Sequence, residues 1–210
     1  MRVLVLYSSR HGQTRRIAES IASSASQRGW QPEVRDIDAS GPPARLADYA
    51  AAFLAAPVHM GKHAKRIVAF ARDHHETLEA LPSAFVSVSL AQASVESATL
   101  APELRKQAHE DLSVALGAFI EASGWHPRAI HRAAGAMAYT RYNWFMRWMM
   151  KRIAKTQGGS TDTSRDHEYT DWGALDRFVT EFLASAAQRT SASTSSSTAT
   201  SSSTSTGFVR

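Results

Sequence analysis

The segment RVLVLYSSRHGQT, residues 2–14, passes from a run of consecutive apolar residues straight into a polar turn containing glycine. An apolar run without alternation belongs to a strand covered on both faces, and such strands are found in parallel sheets. Parallel neighbours cannot be joined by a tight turn; each needs a crossover, usually a helix. The next residues supply one: in RRIAESIASSASQRG, Ile17, Ile21 and Ala25 recur at helical spacing until Gly29 ends the pattern. A βα unit at the start of a 210-residue chain restricts the fold to the α/β class with room for one domain of ordinary size.

The unit then repeats. Residues 31–37 (QPEVRDI) read as an edge-type strand with a proline at its start, residues 48–58 (DYAAAFLAAPV) as a third strand, and Lys65 to Leu78 as a helix. SAFVSVSL, residues 83–90, is a fourth strand, and residues 102–123 form a long helix closed by Gly124. A fifth strand falls within residues 128–138, and DWGALDRFVTEFLASAA is a closing helix capped by Thr170 or Asp171. Five such units predict a doubly wound α/β domain over residues 1–188. From Arg189 the sequence is almost entirely serine and threonine, too poor in apolar area to offset its ordering entropy, so residues 189–210 read as a disordered tail.

Several classes are excluded. The apolar runs are far shorter than the roughly 20 residues that span a bilayer, and the N-terminal run is too short for a secretory signal. Cysteine is absent, so disulfides and thiolate metal sites are ruled out, and a cytoplasmic location is expected. The formal net charge of +5 suggests an anionic partner, whether membrane surface, nucleic acid or an acidic small molecule.

In an open parallel sheet, ligands sit beyond the carboxyl ends of the strands, where the chain order reverses. The turn after the first strand lies there and opens a helix, whose unpaired N–H groups and dipole suit a phosphate. Ser9, Thr14 and Ser8 add hydroxyls, Gln13 an amide, and Gly12 a close backbone approach. Neither GxxxxGK[ST] nor GxGxxG occurs, which argues against ATP or a dinucleotide held in the usual ways. A serine-rich turn that merely caps a helix fits the residues equally well.

Tyr7-Ser8-Ser9-Arg10-His11-Gly12-Gln13-Thr14 resembles the FMN-phosphate loop of the flavodoxin superfamily. LPSAFVSVSL (81–90), SGWHP (123–127), AAGAMAYTRYNWF (133–145) and GGSTDTSRDHEYTDW (158–172) resemble blocks of its quinone-dependent protoporphyrinogen IX dehydrogenases. The resemblance extends to about residue 187. It implies a flavodoxin-like five-stranded sheet of order 2-1-3-4-5 with an insertion at about 139–169. FMN phosphate would be held by Ser9, Arg10, His11, Gly12, Gln13 and Thr14. Two further loops would flank the isoalloxazine ring, Pro57-Val58-His59-Met60-Gly61 and Ser87-Val88-Ser89-Leu90-Ala91. Many flavodoxins stack a tryptophan or tyrosine on the ring from these loops; here there is none, and Pro57 also departs from the pattern.

Within the insertion, RYNWFMRWMMKRIAK (141–155) places Tyr142, Phe145, Met146, Met149, Met150 and Ile153 on one helical face and Arg147, Lys151, Arg152 and Lys155 opposite, with Trp144 and Trp148 among the cations. That pattern suits an interfacial helix on an anionic membrane, and equally an amphipathic helix packed on the sheet. No metal site is expected: His59 and His63 stand four residues apart without a third ligand.

The resemblance implies an FMN-dependent oxidoreductase of haem biosynthesis. It would take electrons from protoporphyrinogen IX and pass them to menaquinone or ubiquinone, with the flavin rather than a side chain carrying the redox step. Lys62, Arg141 and Arg147 are the candidates for pairing with substrate carboxylates. The expected location is the cytoplasmic face of the membrane, attached through residues 141–155. No nucleic-acid partner is expected, and self-association is left open. The competing readings are a flavodoxin-like electron carrier and an NAD(P)H:quinone-type flavin reductase.

Overall fold

The computed structural model describes residues 1–98, 100–137 and 167–199. Arg141, Arg147, the basic aromatic segment 141–155 and residues 200–210 of the tail lie outside them.

The described chain contains β1 (Arg2–Tyr7), α1 (Gln13–Gln27), β2 (Gln31–Asp36), β3 (Ala51–His59), β4 (Lys62–His63), α2 (Lys65–Asp73), α3 (His75–Ala80), β5 (Ser83–Ser89), α4 (Leu90–Glu96), α5 (Pro102–Ser123), β6 (Ala129–Ala134), β7 (Ala136–Met137), β8 (His167–Glu168) and α6 (Trp172–Ala199). Five strands run parallel in the order β2-β1-β3-β5-β6. With the short hairpin strand β4 set aside, this is the expected 2-1-3-4-5 order.

Both faces of the sheet are buried, as the unalternating apolar run requires. Val3, Val5, Phe53 and Val86 pack against Ile17 and Ile21 of α1 and Leu175, Val179 and Phe182 of α6. Leu4, Leu6, Leu54 and Phe85 face the other way, against Ile67 and Phe70 of α2, Leu78 of α3, Phe119 of α5 and Trp125. Phe85 and Phe119 stack at 4.0 Å between ring centroids, with Trp125 edge-on to both at 6.0 Å.

The structure departs from the sequence reading in several places. The helix over 65–78 breaks at His74 (φ −128°, ψ 18°), yet Ile67, Phe70, Ala71 and Leu78 stay buried, so one apolar face continues through the break. β3 begins at Ala51, because Leu46–Asp48 form a short 3₁₀ turn. The fifth strand divides at Gly135, whose N–H still bonds Ser89 O at 3.0 Å before the chain enters the separate antiparallel ribbon of β7 and β8. Asp171 is the cap of α6: its carboxylate accepts from the Ala174 N–H at 2.8 Å, while the Thr170 hydroxyl donates to Ala134 O at 2.6 Å. The backbone of α6 runs to Ala199.

Candidate functional site

Parallel pairing sends every strand the same way, so the loops after β1, β3 and β5 meet at one edge. Tyr7 pairs with Ala55, Pro57 with Val88 and Ser89 with Ala134, which aligns the three strand ends. Pro57 is accommodated within β3 because β1 has already ended beside it. Ser8 N–H donates to Ala55 O at 3.2 Å, and the next position facing β1 is Pro57, where no ladder donor is required.

The first loop is organised by short local bonds. The Gly12 N–H donates to Ser9 Oγ at 3.1 Å. Gly12 has φ 94°, a left-handed conformation that favours glycine, and α1 begins directly after it. No side chain caps the first turn of α1 and no acidic residue lies in it, so its N–H groups and positive dipole end serve an anion well. Ser8 is spent elsewhere: its hydroxyl donates to the Asp38 carboxylate at 2.5 Å, and Arg66 lies 3.9 Å from the other Asp38 oxygen. The Thr14 side chain is buried and that of Arg10 exposed.

The Gln13 amide does not face a prospective phosphate. Its Nε2 donates to Glu168 Oε1 at 2.9 Å and to Thr170 Oγ1 at 2.8 Å, so Gln13 contributes to the loop through its backbone. The Arg16 guanidinium reaches the other Glu168 oxygen at 2.9 Å and lies over the Trp172 ring at 5.6 Å. Glu168 and Thr170 thus tie the strand returning from the insertion onto the first turn of α1. Sequence reasoning missed this tie and Asp38; for Glu168 and Thr170 the available signal was their place in the block 158–172.

The second loop is a two-residue β-hairpin. His59 pairs with Lys62 and Val58 with His63, leaving Met60 (φ 49°) and Gly61 (φ 73°) at the tip. Positive φ at both positions is the signature of the turn whose twist matches the strands. Met60 is a non-glycine residue in that region, and its side chain is fully exposed. The hairpin meets the first loop through His11 and His59, whose rings lie edge to face at 5.8 Å. The His59 pKa is held below its ordinary value, first by desolvation and then by the neighbouring His11 and Arg10 charges. Lys62 sits on β4 with its side chain in solvent.

The third loop is the end of β5 running into α4. Ser87, Val88 and Ser89 are buried strand residues, and Leu90 and Ala91 open the helix rather than an irregular loop, because Ser89 Oγ accepts the Ala91 N–H at 3.2 Å as a cap. The two ring-flanking segments are joined by a buried bond: His63 Nε2 lies 2.9 Å from Ser87 Oγ.

A flavin fits these residues. The uncapped helix start and the Gly12 conformation suit its phosphate, and the adjoining hairpin and β5 terminus suit a ring. A profile of the flavodoxin domain family matches residues 4–164, and the chain belongs to that family. It is 34% identical over 181 residues to a protein of Escherichia coli K12 named protoporphyrinogen IX dehydrogenase [quinone], covering 86% of this chain and 94% of that protein. A protein of the same name from Leishmania major is 34% identical over 182 residues, covering 86% of this chain and 74% of the relative. Among solved structures, oxidised flavodoxin 1 from Bacillus cereus aligns with 15% identity and a TM-score of 0.47, covering 87% of this chain and 97% of that one.

Proposed function

We propose that this chain is an FMN-dependent oxidoreductase that converts protoporphyrinogen IX to protoporphyrin IX and delivers the electrons to a membrane quinone, menaquinone or ubiquinone. The observation that carries the reading is identity to relatives of that name across 94% of the Escherichia coli protein. The three loop ends convergent on one sheet edge agree with it.

A bound flavin supplies the acceptor for hydride equivalents leaving carbon, a task no side chain here performs. The chain's own residues bind and orient. The first turn of α1, with Ser9, Gly12 and the backbone of Gln13, would hold the phosphate. The Pro57–Gly61 hairpin and the Ser87–Ala91 segment would flank the ring. No tryptophan or tyrosine stands in either segment, and the loss of that stacking would leave a ring face accessible to a large flat substrate. Lys62 at the hairpin, with Arg141 and Arg147 of the insertion, would meet the substrate carboxylates by charge-assisted hydrogen bonds. Among the described residues no helix is long and apolar enough to cross a membrane; attachment through residues 141–155 would bring the site to the quinone.

The test is the appearance of porphyrin fluorescence after anaerobic addition of protoporphyrinogen IX and a quinone analogue to the flavin-loaded protein. Fluorescence that rises no faster than in the enzyme-free control would refute the assignment. Rapid flavin bleaching by NADPH alone would favour the reductase reading instead.

A further inference from the structure

His63 is a costly residue where it stands. It is 5% exposed and lies edge-on to Phe85 at 5.1 Å and Phe119 at 5.2 Å. Burial pushes its pKa down to about 4, with the Ala115 backbone opposing only part of the shift. Burying an imidazole costs desolvation, and an aliphatic side chain in this aromatic cluster would carry no such cost. Against that cost stands the bond between Nε2 and Ser87 Oγ at 2.9 Å, beside the interaction with the Ala115 backbone.

That bond spans two elements that share no strand pairing. His63 is on β4, the returning arm of the Met60–Gly61 hairpin, which among the described residues pairs only with β3; Ser87 is on β5, two residues before the turn into α4. One element carries the segment 57–61 and the other the segment 87–91. Between them at the site edge stand β3 and this cross-brace, and β4 is further held by the packing of His63 on Phe119 of α5.

We propose that His63 is a positioning residue for the cofactor: through the Ser87 hydroxyl it fixes the hairpin relative to the end of β5 and so sets the gap that receives the flavin ring. The inference rests on the flavin-binding reading above and adds to it a residue outside the three loops. It separates stability from binding in a way that a purely structural histidine would not. Replacing both partners of a buried hydrogen bond by apolar groups is nearly neutral for folding, whereas the alignment of the loops is lost.

The experiment uses the full chain in four forms: wild type, His63→Gln, Ser87→Ala and the double variant His63→Leu with Ser87→Ala. FMN and riboflavin are titrated by flavin fluorescence, and the flavin-free proteins are unfolded in urea. The double variant is expected to match or exceed the wild type in urea midpoint while binding FMN about tenfold more weakly, the size expected for one lost buried hydrogen bond. Riboflavin, which lacks the phosphate, should weaken by the same factor, and His63→Gln, whose amide still reaches the hydroxyl, should stay within about threefold of wild type. Wild-type flavin affinity in a folded double variant would overturn the inference. So would a loss confined to FMN, which would place the effect at the phosphate. Wild-type protein that binds neither flavin would overturn the flavin reading and the inference together.

Discussion

The buried imidazole of His63 makes the fold sensitive to mild acid by an amount that follows from its position. An unfolded histidine titrates near 6.5, and in the fold His63 is pushed down to about 4 by loss of solvation in the Phe85–Phe119 cluster. The native state therefore binds fewer protons than the unfolded state between these values, and stability falls as pH falls through that window. Above pH 6.5 the contribution is fully present. About 2 kcal/mol is lost by pH 5 and about 3 kcal/mol by pH 4, and the loss levels off below about pH 3. Urea unfolding midpoints of flavin-free wild type and His63→Gln at pH 7.5, 6, 5 and 4.5 isolate the term, because His59 and His131, whose pKa values are also lowered by desolvation, titrate in both proteins. The difference curve should slope downward for the wild type below pH 6.5. A flat difference from pH 7.5 to 4.5 would mean that the imidazole is solvated in the folded protein, and the packing argument for His63 would fail.

Other consequences can be checked one at a time. Gly12→Ala forces a Cβ onto φ 94° and should cost about 1–2 kcal/mol in thermal or urea unfolding while weakening FMN, since the strain falls on the loop that opens α1. Phe119→Ala removes the ring stacked on Phe85 and should destabilise by about 3–5 kcal/mol in the same assay. Asp171→Ala removes the cap bond to Ala174 at the start of α6 and should cost about 1 kcal/mol. Glu168→Ala breaks a partly exposed pair with Arg16 and the bond from Gln13; it should cost less than about 1 kcal/mol and do so less at high salt.

The parts of the fold that depend on local chemistry were legible in the sequence. Residues 2–7 have the composition of a doubly covered strand and are one, with alternate residues feeding the two cores. Pro102 and Gly124 bracket α5 as their backbone preferences dictate, with Gly124 at φ 65°. The break between α2 and α3 was invisible because the apolar spacing from Ile67 to Leu78 persists across His74. The strand β4 has two residues, too few for any periodicity, so the hairpin and the partner of His63 lay beyond pattern reading. At the site, the first loop could be found from its glycine and hydroxyls. The bonds from Gln13 to Glu168 and Thr170 join residues 155 and 157 positions apart, and only the folded chain brings them together.

The pairing of Met137 with His167 bears on how such a chain can change. Because Met137 and His167 stand side by side in one small ribbon, the described chain is closed across that point, and the two cores are complete in residues from either side of it. A change in the number of residues between those two positions would leave both ends of the ribbon where they are, so the core could absorb it without repacking.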